Sequence, residues 1–388
     1  MAKVVIGMSG GVDSSVAAYL LKQQGHEVIG LFMINWDDSS VTLTSSCTWE
    51  DDIMFAEMVC KKLDIPLHSV NLSDQYRKKV VEYMFAEYER GRTPNPDVLC
   101  NREIKFDIFI DECLKLGADY VATGHYCKKE TVMIDGKETH RLLAGKDPNK
   151  DQSYFLCQLS QKQISKALFP IGELLKPDVR IIAEQQGLAT ATRKDSQGIC
   201  FVGKVDLPTF LQQKLEAKRG DIVEIPESYY ETIERSDVLK GISRPYEYKK
   251  EDGTIIAQHR GAHFYTIGQR KGLNIGGTGK PMYVIAIDVK ENLVFVGRGD
   301  DHPGLYRKAL FVSNDETHWV RPDLELQEGE SKKFKVRIRY RQPLQGAKLI
   351  AQPEGYYIQF EKPQRGVAPG QFAAWYDGDE LIGSGVIN

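Results

Sequence analysis

Nothing in the 388 residues reads as a membrane span or an export signal. There is no run of about 18 apolar residues, and Met1-Ala2-Lys3 leads straight into a short β-branched stretch without an apolar leader. A cytoplasmic chain with no membrane partner is the expectation. Charge of one sign is also lacking: the net charge of -3 announces no nucleic-acid partner, so any RNA contact must come from local basic patches. The seven cysteines include no CxxC pair, and the nearest neighbours, Cys47 with Cys60 and Cys100 with Cys113, stand 13 apart. That spacing excludes a zinc ribbon and a cysteine-held iron–sulfur cluster, so no protein-held metal is expected. An odd cysteine count also argues against a disulfide scaffold and for free thiols, one or two of them reactive. No internal repeat or low-complexity tract is present. Two familiar phosphate signatures are missing as well: no Gly-Lys-Ser/Thr closes a P-loop, and no GxGxxG marks a dinucleotide fold.

What is present is Ser9-Gly10-Gly11-Val12-Asp13-Ser14, directly after the apolar run Val4-Val5-Ile6-Gly7-Met8 and at the start of a helix-like stretch. Glycines let successive amides point at one centre, the helix adds its positive end, and the two serines offer hydroxyls. The natural guest is the pyrophosphate of a nucleotide. Residues 4–6, 28–33, 67–72 and 120–122 read as strands, and 12–24, 50–63 and 104–116 carry apolar residues at three- and four-residue spacing. This rhythm predicts a parallel α/β domain over residues 1–205. Ligands of such sheets sit at the carboxyl ends of strands, where the Ser9 loop, Met33, Gly124 and His125 all fall.

Beyond residue 205 the pattern changes. Residues 206–280 read as a small central domain with a short helix at 208–216, and the Tyr-, Glu- and Lys-rich stretch 226–252 reads as a solvated loop or small hairpin. Residues 281–388 alternate with period two between turns and predict an antiparallel β-barrel. Within it, Lys333, Lys335, Arg337, Arg339 and Arg341 alternate with apolar residues, and a continuous strand there would put five cations on one face for phosphate.

Two cysteines have distinctive frames. Cys100 follows Pro94-Asn95-Pro96-Asp97, a stiffened loop leading into a helix, and Arg102 lies close behind; a helix N-terminus and a cation both favour thiolate. Asp97 is placed to move a proton near it. Cys200 lies in Asp195-Ser196-Gln197-Gly198-Ile199-Cys200-Phe201, behind Arg193 and Lys194. Cys60 and Cys113 fall within helical patterns and read as structural.

SGGVDSS resembles the signature of the PP-loop ATP pyrophosphatases, which adenylate a carbonyl oxygen. The stretches GRTPNPDVLCNREIKF, ATGHY, KDQSYFL, DSQGICF, YTIGQRKGL and RYRQ, in order across the chain, are similar to the tRNA-specific 2-thiouridylases. The resemblance implies ATP with Mg2+ as cofactor, bound by Gly7, Met8, Ser9, Gly10, Gly11, Val12, Asp13, Ser14, Met33 and Gly124. It implies Cys200 as persulfide carrier and Cys100 as catalytic nucleophile with Asp97. Asn95, Pro96 and Asp97 would border the target base, while His125, Lys150, Asp151, Gln152, Arg339, Tyr340 and Gln371 would contact tRNA. The implied reaction is 2-thiolation of a wobble uridine in tRNAs for Lys, Glu and Gln by a monomer, with sulfur from a cysteine desulfurase or relay protein. Two other classes fit parts of the chain: a PP-loop amidating enzyme acting on a small metabolite, and a non-catalytic RNA-binding protein with a relic loop.

Overall fold

A computed structural model describes residues 1–36, 48–195, 207–233, 238–276 and 279–388. Cys47 and Cys200 lie outside the described residues. The N-terminal sheet is parallel, with strands β1 (Lys3–Met8), β2 (Glu27–Ile34), β3 (Leu67–Asn71), β4 (Tyr120–Ala122) and, further along the chain, a two-residue strand at Ala167–Leu168. Its order is β3-β2-β1-β4 followed by Ala167–Leu168. Alternation along β1 feeds two cores. Val4, Ile6 and Met8 pack against Val12, Val16 and Ala17 of helix α1 (Val12–Gln23) and Ala56 and Val59 of α2 (Thr48–Leu63). Val5 faces the other side, toward Val98, Leu99, Cys100 and Phe109. With helices on both faces, the order reverses between β1 and β4. That switch point is where α/β sheets bind ligands, and the Ser9 loop and Gly124 follow its two strands.

The hairpin β5 (Cys127–Ile134) and β6 (Lys137–Ala144) was not anticipated and leaves this domain. It turns at Asp135 and Gly136, both with positive φ (48° and 75°), the conformation a tight two-residue hairpin turn requires. Leu142 and Leu143 then pair with Leu381 and Glu380 near the C-terminus. The hairpin therefore stitches the N-terminal domain into the last sheet of the described residues.

The boundary expected at residue 280 is corrected. The central sheet contains β8 (Gly220–Glu224), β9 (Thr254–His259), β10 (Met282–Asp288) and β11 (Leu293–Arg298), in the order β10-β11-β8-β9, where β7 is the Ala167–Leu168 strand. β11 runs parallel to β8. Two-residue alternation marks β10 and β11 as strands but carries no information on which sheet they join, and the pairing places them with β8 instead of in the barrel. The reading of 226–252 as a solvated loop is also corrected. Tyr248 is buried against Phe295, with ring centroids 5.4 Å apart, and Tyr230 and Tyr248 share a hydroxyl hydrogen bond. Arg307 donates to the carbonyls of Ser243 and Val367, tying this stretch to the last domain.

The C-terminal domain is antiparallel: β12 (Tyr306–Ser313), β13 (Thr317–Trp319), β14 (Ser331–Arg337), β15 (Gln345–Gln352), β16 (Gly355–Arg365), β17 (Phe372–Asp377) and β18 (Glu380–Val386) enclose Val336, Leu349, Ile358, Trp375 and Ile382. No helix among the described residues is long and apolar enough to cross a membrane.

Candidate active site

The phosphate loop is prebuilt by its own side chains. Ser9 N donates to Ser14 Oγ at 3.2 Å, the two serine hydroxyls lie 3.1 Å apart, and the hydroxyls of Ser14 and Ser15 donate to Gly11 O at 3.1 and 2.8 Å. Gly10 has φ +68°, and a Cβ there would lie 2.3 Å from Asp52 O, so only glycine fits. Gly124 approaches from β4: its Cβ would lie 2.7 Å from Ser14 N. Gly7 sits beside Met33 and Phe109, with Met33 Cε 3.7 Å from where its Cβ would be. The expected nucleotide residues thus come together at one switch point, with α1 directing its positive end at them.

The ionic residues around this loop were missed. Asp13 receives Lys176 Nζ at 2.7 and 2.9 Å and the Tyr126 hydroxyl at 2.7 Å. Lys176 opens helix α4 (Lys176–Gln185), placed later in the chain than the helix α3 (Pro96–Leu99) described below. Its side chain is only 10% exposed and reaches Asp195 at 2.9 Å. Arg193 donates to Gly10 O at 2.7 Å and pairs with Asp52 at 2.6 Å. Burial raises the Asp52 carboxyl in spite of that partner, and burial followed by the Asp13 charge raises the Tyr126 phenol. Burial alone would raise Asp195 too, but hydrogen bonds from Lys150 and Lys176 carry it down to about 2. Lys176 and Arg193 lie 163 and 183 residues from their loop partners. Only the motif's own letters are local, so no spacing rule could find them.

Cys100 is buried directly after α3, whose N-cap is Asn95: its side chain accepts from Val98 N, and Pro96 occupies the first turn. From Cys100 to Ile108 the helix continues with π-type bonding, broken at Phe106 (φ -115°, ψ 16°). The helix therefore starts at Pro96, earlier than the Asn101 start that the letters suggest, with Asn95, Pro96 and Asp97 half-buried at its beginning. Arg102 is engaged elsewhere, donating to Glu103 at 2.7 Å and Gln158 at 2.9 Å. Cys60 and Cys157 are pushed up to about 12 by burial, and Cys113 and Cys127 are raised as well, which leaves them protonated at neutral pH and structural.

Several expected RNA contacts serve the fold in this structure. Asp151 is buried, accepting from Gly145 N and Ser153 N and facing Arg337 at 3.1 Å. Gln152 accepts from Tyr126 N at 3.0 Å, and Lys150 pairs with Asp195 at 2.5 Å. His125 is buried between Phe106 and Phe169; burial, then the Lys105 charge, pushes its pKa well down, so it stays neutral. The five-cation strand face is corrected. β14 ends at Arg337, which is buried against Asp151 and the Tyr376 ring, while Arg339 is bound to the carbonyls of Arg365 and Gly366. Tyr340 stacks on Phe155, centroids 4.3 Å apart. Lys333 and Lys335 remain outward, and Lys333 lies opposite exposed Lys348 on β15. Like charges placed opposite each other cost stability, which an anionic partner relieves.

Gln371 grips the loop instead of pointing outward. Its Nε2 donates to Thr93 O at 2.9 Å and Pro94 O at 3.1 Å, and Thr93 N donates to Pro369 O at 2.8 Å. The Thr93 hydroxyl meets that of Thr266 in the central domain at 3.2 Å. All three domains therefore hold the chain entering Asn95. Replacing Gln371 with Ala is expected to lower kcat about tenfold with the KM for ATP unchanged, a fraction of the roughly hundredfold that a 1 Å misplacement of a positioning group can cost. Steady-state kinetics check it, and an unchanged kcat shows that the clasp is dispensable.

A separate cavity of about 550 Å³ lies in the central domain, lined by Lys218, Arg219, Asp221, Lys250 and Glu291 among others. Neither the Ser9 loop nor Cys100 lines it, so the switch point is the better site. Among the described residues no cluster of three or more His, Cys, Asp or Glu can hold a metal.

The fold and the loop together define an ATP-using PP-loop enzyme with a HUP-type α/β domain. The family model described as tRNA methyl transferase HUP domain matches residues 2–204, the PRC-barrel domain of that series 243–298, and the aminomethyltransferase beta-barrel domain 310–387. The chain is 58% identical over 395 residues to the tRNA-specific 2-thiouridylase MnmA of Christiangramia forsetii, and likewise to that of Flavobacterium johnsoniae, covering 100% of each chain. It is 47% identical over 389 residues to the Pseudomonas aeruginosa protein of that name, covering 99% of this chain and 94% of the other. The chain belongs to the tRNA-specific 2-thiouridylase family, a family of ATP-using tRNA sulfurtransferases.

Proposed function

We propose that this protein adenylates the C2 oxygen of the wobble uridine in tRNA and replaces it with sulfur carried as a persulfide on Cys200. The observation that carries this reading is the prebuilt phosphate loop at the switch point of a scaffold that also holds the Asn95-Pro96-Asp97 loop by all three domains. A carbonyl oxygen is a poor leaving group. Its attack on the α-phosphorus of ATP expels pyrophosphate into the Ser9 loop and leaves AMP as the leaving group at C2. Two sulfur routes follow. In one, the terminal persulfide sulfur attacks C2, AMP departs, and the Cys100 thiolate attacks the remaining sulfur bond at Cys200. In the other, Cys100 attacks first and frees hydrosulfide. Both end with a Cys100–Cys200 disulfide, which an external two-electron thiol reductant must reopen.

Mg2+ would arrive on the phosphate oxygens, where it screens their charge. Asp13 and Asp195 are already paired with cations, which fits a metal carried by the nucleotide better than a protein cage. Lys333, Lys335 and Lys348 supply tRNA phosphate contacts, and Asn95 to Asp97 border the unstacked base, which costs little to extract from a single-stranded loop. The protein acts as a cytoplasmic monomer on tRNAs for Lys, Glu and Gln, fed by a cysteine desulfurase or sulfur relay.

The adenylation step has a direct test. Replacing Asp13 and Ser14 together with Ala is expected to lower tRNA-dependent pyrophosphate release about a hundredfold or more, the scale of losing preorganised charge stabilisation. Release at the parent rate excludes the loop from the chemistry.

A further inference from the structure

Three cations, two from helix α4 and one from the loop at Lys150, converge on one carboxylate beside the phosphate loop. Asp195 receives Lys150 Nζ at 2.5 Å, Lys176 Nζ at 2.9 Å and Arg180 NH2 at 2.8 Å. Lys176 at the same time holds Asp13 of the loop. The cations are positioned independently of Asp195. Buried Asp147 accepts from Lys176 N at 2.9 Å and its carbonyl from Lys150 N at 3.1 Å, while Arg180 NH1 donates to the carbonyls of Ala191 and Arg193. Lys176 and Arg180 stand four apart on α4 and so share a face.

We propose that Lys150, Lys176 and Arg180 form a binding site for the pyrophosphate end of ATP, and that the Asp195 carboxylate fills this site as a built-in plug in the nucleotide-free protein. This rests on the adenylation reading. The distances are those of charge-assisted bonds to an oxyanion, and a carboxylate brings two oxygens and one charge where pyrophosphate brings more of both. Pyrophosphate is the better match to three cations whose carboxylate partners among the described residues are Asp13 and Asp195. Asp195 is one-third exposed, so solvent screens its pairs and its displacement is inexpensive. The lysines and Arg180 keep their backbone anchors when it leaves. Nucleotide binding and displacement of residue 195 are then one event, five positions before Cys200 along the chain.

The test is calorimetric binding of inorganic pyrophosphate to the full chain without tRNA. Asp195→Asn is expected to bind about tenfold tighter, because a site occupied by its own plug shows an affinity lowered by that occupancy. Asp195→Glu should stay near the parent. Unchanged or weaker binding by Asp195→Asn makes the carboxylate a structural counter-ion and overturns the proposal. Should that variant not fold, Lys150→Gln decides: pyrophosphate binding must weaken about tenfold, and parent-like binding overturns the site. Adenylation is scored separately, as tRNA-dependent AMP formation by the parent chain. A parent that forms AMP while Asp195→Asn binds no tighter overturns this proposal and leaves the adenylation reading standing; tighter binding with no AMP from the parent loses only the adenylation reading.

Discussion

Cys100→Ser is expected to abolish 2-thiouridine formation, by about 10³-fold or more, while leaving pyrophosphate release and persulfide loading of Cys200 intact. The scale is that of removing a nucleophile that acts within a unit. The thiol is fully buried at the start of the π-helical stretch, behind a loop that all three domains hold, so its reach is set by the scaffold and a hydroxyl cannot open a sulfur–sulfur bond in its place. Incubation with a desulfurase and sulfur-labelled cysteine, followed by mass spectrometry, reports loading; nucleoside analysis of the tRNA reports product. Cys200→Ser should give the complementary result, losing the label yet still releasing pyrophosphate with tRNA. Because serine buries a hydroxyl where the thiol was, Cys100→Ala is the companion variant. Normal turnover by both Cys100 variants returns this residue to a structural role beside Cys60, Cys113, Cys127 and Cys157.

The contrast between these cysteines shows what letters can convey. The local frame of Cys100 was legible: the two prolines of Pro94-Asn95-Pro96-Asp97 stiffen the entry to a helix, which in the structure starts there with Asn95 accepting from Val98 N. The phosphate loop was legible for the same reason: Gly10 and the two serines carry their geometry within six residues. Local periodicity also indicated the parallel sheet. What it could not give was partnership at long range. β10 and β11 were recognised as strands, but their neighbours are β8 and β9, and nothing in an alternating pattern names a neighbour. The run from Lys333 to Arg341 looked like one basic strand because alternation continues past Arg337; the chain turns there, and Arg337 is drawn inward by Asp151, 186 positions earlier. Asp135-Gly136 was a readable hairpin signal between alternating residues and was passed over. Gln371 has a visible role only once Thr93 and Pro94 are seen against it.

Lys176 is the long-range residue with the most at stake. Its ammonium is nearly buried, bonded to both oxygens of Asp13 and to Asp195, and lies 5.8 Å from the Tyr126 ring centroid. A lysine held this way is a preorganised positive charge directly behind the phosphate loop, where negative charge accumulates as pyrophosphate leaves. Lys176→Met keeps most of the volume and removes the charge. It is expected to lower tRNA-dependent pyrophosphate release about a hundredfold or more, the scale seen when preorganised electrostatic stabilisation is lost. The variant also leaves Asp13 half-buried without its cation, a change that destabilises paired sites, so a lower Tm is expected alongside. Loss of stability alone does not account for the rate if persulfide loading of Cys200 is retained in the same preparation, because that reaction needs the fold but not the nucleotide. Lys176→Arg restores the charge with a different shape and should recover stability more fully than rate. Parent-like pyrophosphate release by Lys176→Met at a temperature well below its Tm assigns Lys176 to folding alone.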